Sequence, residues 1–400
     1  MKILHIIPSI AQIRGGPSRG VLDMVKALQQ SDIEVEIATT NDNGSELLNV
    51  PLNKRIRYKN IPVYFFPRFS PSIVNLREFA FSSELTQWLW QNIQDYDLLH
   101  IHGVFSYPST VAMAISRIKA IPYITTPHGL LLQWALQQST QKKQIYLKLI
   151  EQTNLYQSKA VHFTSEKEQQ EALASSFLEL PPSNFVLPLG ISVPETIHNA
   201  RQRLRQYFNI PVDEPIILFL SRLHPVKGLE YLIPALGKLA QHRFSFILAG
   251  SGMPKYEDQI KSLLVSNGLN NRTYITGFVS GEFKNLLIQG ANLFAQTSHI
   301  ESFGLSVLEA LAVGLPALVT PGVALASVVE QHKLGYVTSL DVSAIASTIE
   351  NHLTNPQQAK EMGTRARQLI FEQYTWDSIA KKLIQVYTAI IKNQPIPTFN

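Results

Sequence analysis

The sequence predicts an α/β protein made of two doubly wound, Rossmann-like domains facing a cleft. Three observations carry that prediction. Short apolar, strand-like runs alternate with segments of helical periodicity through both halves of the chain. The length, 400 residues, exceeds what one hydrophobic core usually supports. Ser192 to Asn199 interrupts the alternation and reads as a linker. The expected division is 1–194, 195–375, and a last helix with its tail over 376–400.

The first strand begins at Lys2-Ile3-Leu4-His5-Ile6-Ile7 and ends near Ser9. It is too short an apolar run for a signal peptide and has no small-residue cleavage site. Gly15-Gly16-Pro17-Ser18 follows, then Val21, Leu22, Val25 and Leu28 at helical spacing. A strand, a glycine-rich loop and a helix in that order let backbone approach a phosphate or a sugar closely. The loop has no G-x-G-x-x-G pattern, which argues against a dinucleotide fingerprint. Ile33 to Thr39 and Val63 to Phe66 are the next strands. Lys54, Arg55, Arg57 and Lys59 between them read as a solvated excursion, with an acidic acceptor or a membrane surface as the alternative use of that charge. Phe79 to Ile93 is an amphipathic helix carrying Trp88 and Trp90.

Asp97 to Gly103 is a buried strand running into a loop. Asp95-Tyr96-Asp97 has the form of a metal-binding D-x-D, but it precedes its strand, and ligands of parallel sheets gather at strand carboxyl ends. It is therefore read as structural. His100 and His102 are expected on different sides of the strand, His102 toward the acceptor and His100 in the core. Pro122 to Gly129 is a further strand that delivers His128 to a carboxyl end. Leu130 to Leu155 reads as helix and Ala160 to Thr164 as strand. Ser165 then caps a helix, and Asn184 to Leu189 closes the domain.

After the linker, Leu204 to Phe208 is a short helix and Pro215 to Leu220 a buried strand that restarts the alternation. Ser221-Arg222-Leu223-His224-Pro225-Val226-Lys227-Gly228 follows at once. Two cations five residues apart at a strand end would flank a diphosphate and offset its charge as a bond breaks. Phe244 to Leu248 is a strand ending in Ala249-Gly250-Ser251-Gly252, and Thr273 to Val279 is another. Ala291 to Ala295 ends a strand, and a polar turn leads into Leu305, Val307, Leu308 and Leu311 at helical spacing. The turn delivers a helix N-terminus near Gly304, whose N–H groups and dipole suit a phosphate. Glu301 and Glu309 bracket it. Carboxylates repel phosphate, so they are expected to accept hydrogen bonds from hydroxyls, and a nucleotide sugar offers both groups. Taken alone, two such glutamates are more often a capping Glu301 and a solvated Glu309. Val313 to Val319, Gly335 to Val337 and a helix from Val342 complete the domain, and Trp376 to Ile391 is a final amphipathic helix.

Composition removes several classes. There are no cysteines, so disulfides, thiol nucleophiles and cysteine-ligated zinc are excluded. Net charge is +5 and leans to the second half, without the dense basic stripe that nucleic acid requires. Residues 312 to 329 carry no charge, but Gly314, Pro316, Pro321 and Gly322 punctuate them, so no transmembrane helix is expected.

The Glu301-x7-Glu309 string with Phe303-Gly304-Leu305 and Gly314-Leu315-Pro316, together with Pro127-His128-Gly129 and the Arg222/Lys227 pair, resembles the retaining glycosyltransferases of family 4. The resemblance is strongest over 215–335 and weak over 40–95. It implies a GT-B fold whose C-terminal helix crosses back to the first domain. It implies a nucleotide-sugar donor on domain two and a saccharide acceptor on domain one. Glu301 would face the hexose, Glu309 the ribose, and His128 the transferred sugar. Arg222, Lys227 and the N–H groups of Gly304 and Leu305 would hold the diphosphate, with Gly16 donating to it. Gly250 belongs to the same donor set, and the loop at Phe278 and Val279 would contact the base through main chain. No residue stands out as a covalent nucleophile, so front-face transfer is expected. No metal and no cofactor are called for. The donor is expected to be a UDP- or GDP-sugar and the acceptor a glycan or lipid-linked saccharide, as in bacterial polysaccharide assembly. The setting would be cytoplasmic, with peripheral contact at the inner membrane face. The rival readings are a nucleotide-sugar epimerase or a phosphorylase of the same fold, and a non-catalytic sugar-nucleotide-binding protein.

Overall fold

Strands buried on both faces must be apolar throughout rather than alternating, and runs such as Ile216–Leu220 have that character. The computed structural model describes residues 1–137, 146–176 and 178–399. They form two units. One is Met1–Gly190 with the segment from Trp376 onward, and the other is Ile191–Thr375. Residues 191–194 thus belong with the second unit.

The strands of unit 1 are β1 Lys2–Ile7, β2 Glu34–Thr40, the small hairpin β3 Asp42–Asn43 and β4 Glu46–Leu47, β5 Arg55–Tyr58, β6 Ile61–Phe66, β7 Leu98–His102, β8 Tyr123–Thr126, β9 Ala160–Phe163 and β10 Asn184–Val186. Among the described residues, eight of them form one sheet in the order β10-β9-β8-β7-β1-β2-β6-β5. All neighbours are parallel except β5, which runs antiparallel to β6. The order reverses around β1, so the loops after β1 and β7 open the crevice where doubly wound sheets bind ligands. Leu4, Ile6, Leu99 and Ile101 face a core with Leu85, Leu89 and Met113. The helix Gly16–Gln30 buries Val21, Leu22, Val25 and Leu28, as its spacing predicts. The final helix, Trp376–Ile391, packs on it within unit 1. Gly190 is in contact with that helix, since a methyl group there would lie 2.5 Å from the Trp376 ring.

Several sequence expectations need correction. The basic segment around Arg55 and Arg57 is not an excursion but the edge strand β5, and Arg55 Nε donates to buried Glu36 at 2.5 Å. Edge strands carry charge readily because their outer side meets water. The helix expected over 79–93 begins only after Ser82, whose Oγ accepts the Leu85 N–H at 3.4 Å, and ends at Asn92. A helix at Tyr107–Ile118 and another at Pro356–Gln373 had no counterpart in the sequence reading. The helix expected over 130–155 is described only as Gln133–Gln137, a π-helical turn at Leu147–Glu151, and Gln152–Tyr156, while 138–145 lie outside the described residues. Asp97 accepts the Lys2 N–H at 2.7 Å at the amino ends of the strands, a structural use of that acidic pair.

The strands of unit 2 are β11 Ile216–Leu220, β12 Ser245–Ala249, β13 Thr273–Gly277, β14 Leu293–Gln296, β15 Ala317–Val319 and β16 Gly335–Val337. Among the described residues they make one fully parallel sheet, β13-β12-β11-β14-β15-β16. Its core gathers Ile217, Phe219, Leu232, Phe246, Leu248 and Leu293. Here the order reverses between β11 and β14. No described helix is long and apolar enough to cross a membrane.

Candidate functional site

In unit 2 the reversal places two loops side by side at the carboxyl ends of β11 and β14. The first carries Arg222 and Lys227, the second Glu301 and Gly304. Lys227 Nζ forms an ion pair with Glu301 Oε2, across 74 residues of sequence. Lys227 is 7% exposed, and the Glu301 carboxylate also accepts from Gln296 Nε2 at 3.3 Å. Glu301 is held by backbone as well: its N–H donates to Gly322 O and its carbonyl accepts the Ala324 N–H, both at 3.0 Å. A buried cation needs such a partner, because leaving water unpaired is costly. Arg222 by contrast is exposed. His224, between the two cations, is pushed below its usual range by burial and by Arg222 and Lys227.

Glycines let these loops touch. Gly228 has φ +66°, and a methyl group there would run into Thr297 O. Thr297 Oγ1 donates to the carbonyl side of the same turn, 3.1 Å from Gly228 O. Gly322 is similarly confined against the carbonyls of Ser298 and His299. Gly228→Ala should therefore destabilise unit 2 by about 2–4 kcal/mol, from left-handed strain plus displaced backbone. Urea unfolding checks this, and a loss below about 0.5 kcal/mol would show that the loops are not locked together.

Gly304 has φ +96° and is the residue from which the helix Leu305–Ala312 starts. Its carbonyl accepts the Leu308 N–H at 3.0 Å. Glu309, in that helix, is neither solvated nor a cap. It is buried, and Lys284 Nζ donates to its Oε1 at 2.6 Å. Nothing in the local pattern around Lys284 marks it, because it meets Glu309 only through packing of neighbouring helices. Gly250 has φ +142° and sits against Ser221 O, and its N–H donates to Gly277 O at 2.8 Å. That bond ties the β12 and β13 loops together. Phe278 beyond it is exposed and Val279 half-buried. The structure thus brings Lys227 into contact with Glu301, with Gly304 in the same loop. Gly250, Phe278 and Val279 lie at the other end of the row of strands, toward β13.

In unit 1, Gly15 takes φ +79° and Gly16 begins the following helix. A buried charge network anchors this loop. Arg14 donates to Asp42 from Nε at 2.6 Å and from Nη2 at 2.7 Å, and Arg68 also pairs with Asp42. Burial alone would raise the Asp42 carboxyl, but Arg14 and Arg68 hold it below the usual range. Sequence spacing gave no sign of this trio.

His128 stands in the loop after β8 with φ +54°, a left-handed conformation that costs a non-glycine residue about 1 kcal/mol or more. Buried Glu168 holds the loop by accepting the Gly129 N–H, while also accepting from Thr164 N at 3.1 Å and Oγ1 at 3.0 Å. Behind His128 lies a cluster of imidazoles. The expectation that His100 and His102 face different sides is wrong. Their rings stack at 4.2 Å, because the pleat repeats every two residues and i, i+2 side chains share a face. His100 is also paired in register with His5 on β1, so all three rings lie on the sheet face opposite Leu4 and Ile101. His5 Nδ1 and His102 Nε2 are 2.9 Å apart, and His102 Nδ1 and His128 Nε2 are 3.0 Å apart. Burial pushes His5 and His128 down to about 3 and His162 to about 4, and puts His100 and His102 well below the usual range. All five are neutral at physiological pH.

A family model described as glycosyl transferases group 1 matches residues 200–369, and one described as a glycosyl transferase 4-like domain matches 15–190. An uncharacterised glycosyltransferase of Methanocaldococcus jannaschii is 28% identical over 302 residues, covering 74% of this chain and 76% of the relative. Among solved structures, sucrose-phosphate synthase from Thermosynechococcus elongatus superposes with a TM-score of 0.78 at 20% identity, over 98% of this chain and 100% of that one. Anabaena HepE, in complex with UDP and glucose, gives 0.77 at 20% identity, over 97% and 100%. At such identities the superpositions speak for the fold.

Proposed function

Because this chain belongs to the GT-B glycosyltransferases of the family 4 type, we propose that it moves a hexose from a nucleoside-diphosphate sugar to a saccharide or lipid-linked saccharide acceptor, with retention and without a metal. The observation that carries the reading is the Lys227–Glu301 pair at the strand reversal of unit 2. Without a ligand each charge satisfies the other. A donor diphosphate draws Lys227 to itself and releases the Glu301 carboxylate to accept from sugar hydroxyls. Unit 2 is assigned the donor and unit 1 the acceptor, with His128 contacting a substrate hydroxyl.

The chemistry follows from charge. The bond between the anomeric carbon and the diphosphate oxygen breaks, and negative charge builds on the departing phosphate. Lys227, Arg222 and the helix start at Gly304 and Leu305 offset it, which is why a metal is not required. The acceptor hydroxyl attacks the face from which the diphosphate leaves, and its proton passes to the departing oxygen. The anomeric configuration is thereby kept. Buried Glu309, already supplied with a donor by Lys284, is assigned the ribose hydroxyls. A cytoplasmic protein with a lipid-linked acceptor would work at the inner membrane face.

Calorimetric titration with UDP-, GDP- and ADP-sugars, first without metal and then with magnesium, tests the donor half. UDP-glucose comes first, since the similar Anabaena protein holds UDP and glucose. Binding of one nucleoside class without metal is expected, weakened about tenfold or more in Glu309→Ala. Failure of every nucleotide sugar to bind would overturn the assignment of unit 2. Proton NMR of the product reads retention directly, and an inverted anomer would refute front-face transfer.

A further inference from the structure

The imidazoles of unit 1 form more than a cluster. Every link from the sheet interior to His128 is a hydrogen bond, and one end of the series is a backbone carbonyl. A carbonyl accepts and never donates, so it dictates where the protons lie. His162 Nε2 lies 2.7 Å from Leu187 O and must therefore carry its proton. His162 is neutral, so its Nδ1 is bare and accepts from Thr126 Oγ1 at 3.0 Å. The Thr126 hydroxyl has one proton, now used. It accepts at 2.6 Å from His100 Nε2, which is accordingly protonated. His100 Nδ1 is then bare and takes the Tyr387 phenol proton at 2.6 Å. Burial pushes the Tyr387 phenol well above its usual range, so that proton stays. The Tyr387 oxygen can now only accept, and His5 Nε2 lies 3.5 Å away. With Nε2 protonated, His5 Nδ1 accepts from His102 Nε2, and His102 Nδ1 accepts from His128 Nε2.

We propose that this series fixes His128 as its Nε2–H tautomer, presenting Nδ1 as a hydrogen-bond acceptor to a substrate hydroxyl, and that Tyr387 is the positioning residue that sets the direction. The clause about the hydroxyl rests on the function proposed above; the tautomer assignment does not. Tyr387 is decisive because it joins two halves. From Leu187 to His100 the carbonyl dictates each proton. The second half, His5–His102–His128, would be equally satisfied running either way, were it not for the Tyr387 oxygen awaiting a donor. In the reverse order His128 would carry its proton on Nδ1 and offer a donor to the substrate instead. The final helix, far away in sequence, thus supplies the atom that decides what His128 can recognise. The three nearest imidazoles, His5, His100 and His102, lie close enough together to suggest a metal site. Their nitrogens already bond to one another and to Tyr387 and Thr126, so the hydrogen-bonded series accounts for them without an ion.

Long-range proton–nitrogen NMR of protein labelled with nitrogen-15 in histidine reads the tautomer of each ring, and single His→Gln variants assign the signals. In the unaltered protein His128 is expected as Nε2–H and without titration between pH 6 and 8. Tyr387→Phe removes both the proton for His100 and the acceptor for His5, so the His128 signals should move toward Nδ1–H. Thr126→Val should act in the same direction and Thr126→Ser should restore the original pattern, which a merely structural role for the hydroxyl would not require. Turnover of UDP-glucose, by hydrolysis or transfer, should fall about tenfold in Tyr387→Phe, with UDP affinity within twofold of the unaltered protein. His128 found as Nδ1–H in the unaltered protein overturns the proposal. So does an unchanged His128 signal in both Tyr387→Phe and Thr126→Val. If the tautomer behaves as stated but His128→Ala keeps full turnover, then it is the contact of His128 with substrate that fails. If Tyr387→Phe does not fold, the Thr126 pair decides.

Discussion

Lowering the pH from 7.5 to 5.0 should remove a large part of this protein's folding stability. The cause is the set of neutral, buried histidines behind His128. His5 and His162 have folded-state values near 3 and 4 against an ordinary 6.5, and His100 and His102 shift in the same direction. Below pH 6.5 the unfolded chain takes up protons that the folded one refuses, so stability falls as pH falls. The stabilisation is fully present above about pH 7 and is lost progressively toward the folded values. At pH 5.0, 1.5 units below the ordinary value, His5 and His162 cost about 2 kcal/mol each. The remaining imidazoles add to that, against a typical total of about 5–15 kcal/mol. Glu151 and Glu168, whose carboxyls burial pushes up, act in the opposite sense. They are two groups against the five imidazoles His5, His100, His102, His128 and His162, and each titrates from a lower ordinary value. Calorimetric Tm values at the two pH values measure the effect. A Tm that holds within about 2 °C would mean that the rings are not held neutral in the fold.

Lys227→Met should lower turnover by about a hundred- to a thousandfold, the size seen when a single preorganised group facing a developing anion is removed. The side chain is nearly isosteric, so packing at this buried position is kept while the charge is lost. Glu301 then keeps Gln296 and partial access to water, and the fold should survive. Urea titration establishes that separately from activity. Lys227→Arg should recover only part of the rate, because a planar guanidinium does not stand in for a compact ammonium at a buried position. Full turnover in Lys227→Met, with the fold intact, would remove Lys227 from the diphosphate site.

Much of the architecture could be read in advance, and the reasons are local. The apolar runs at Ile3–Ile7, Leu98–Ile101 and Ile216–Phe219 are buried strands, and the strand-to-loop junctions at Arg222, His128 and Glu301 follow from where such runs stop. The helix Trp376–Ile391 was legible to the residue from its periodicity. Two of the failures have distinct causes. β5 looked like solvated charge because an edge strand's outward side chains resemble a loop's. His100 and His102 were set on different faces against the two-residue repeat of the pleat itself.

Hydrophobic periodicity and chain length act before any long-range contact forms, and they suffice for the α/β class, the two-domain character and the types of residue at strand ends. Which of those residues meet depends on the packing of distant elements. Strand order puts β11 beside β14, and so Lys227 beside Glu301; helix packing gives Lys284 to Glu309. The same holds for Tyr387, which reaches His100 across 287 residues only because the last helix folds onto the face of β1 and β7. Periodicity tells which face of an element is buried, but it carries no record of its neighbour. Partnership between distant side chains is settled by sheet order and close packing.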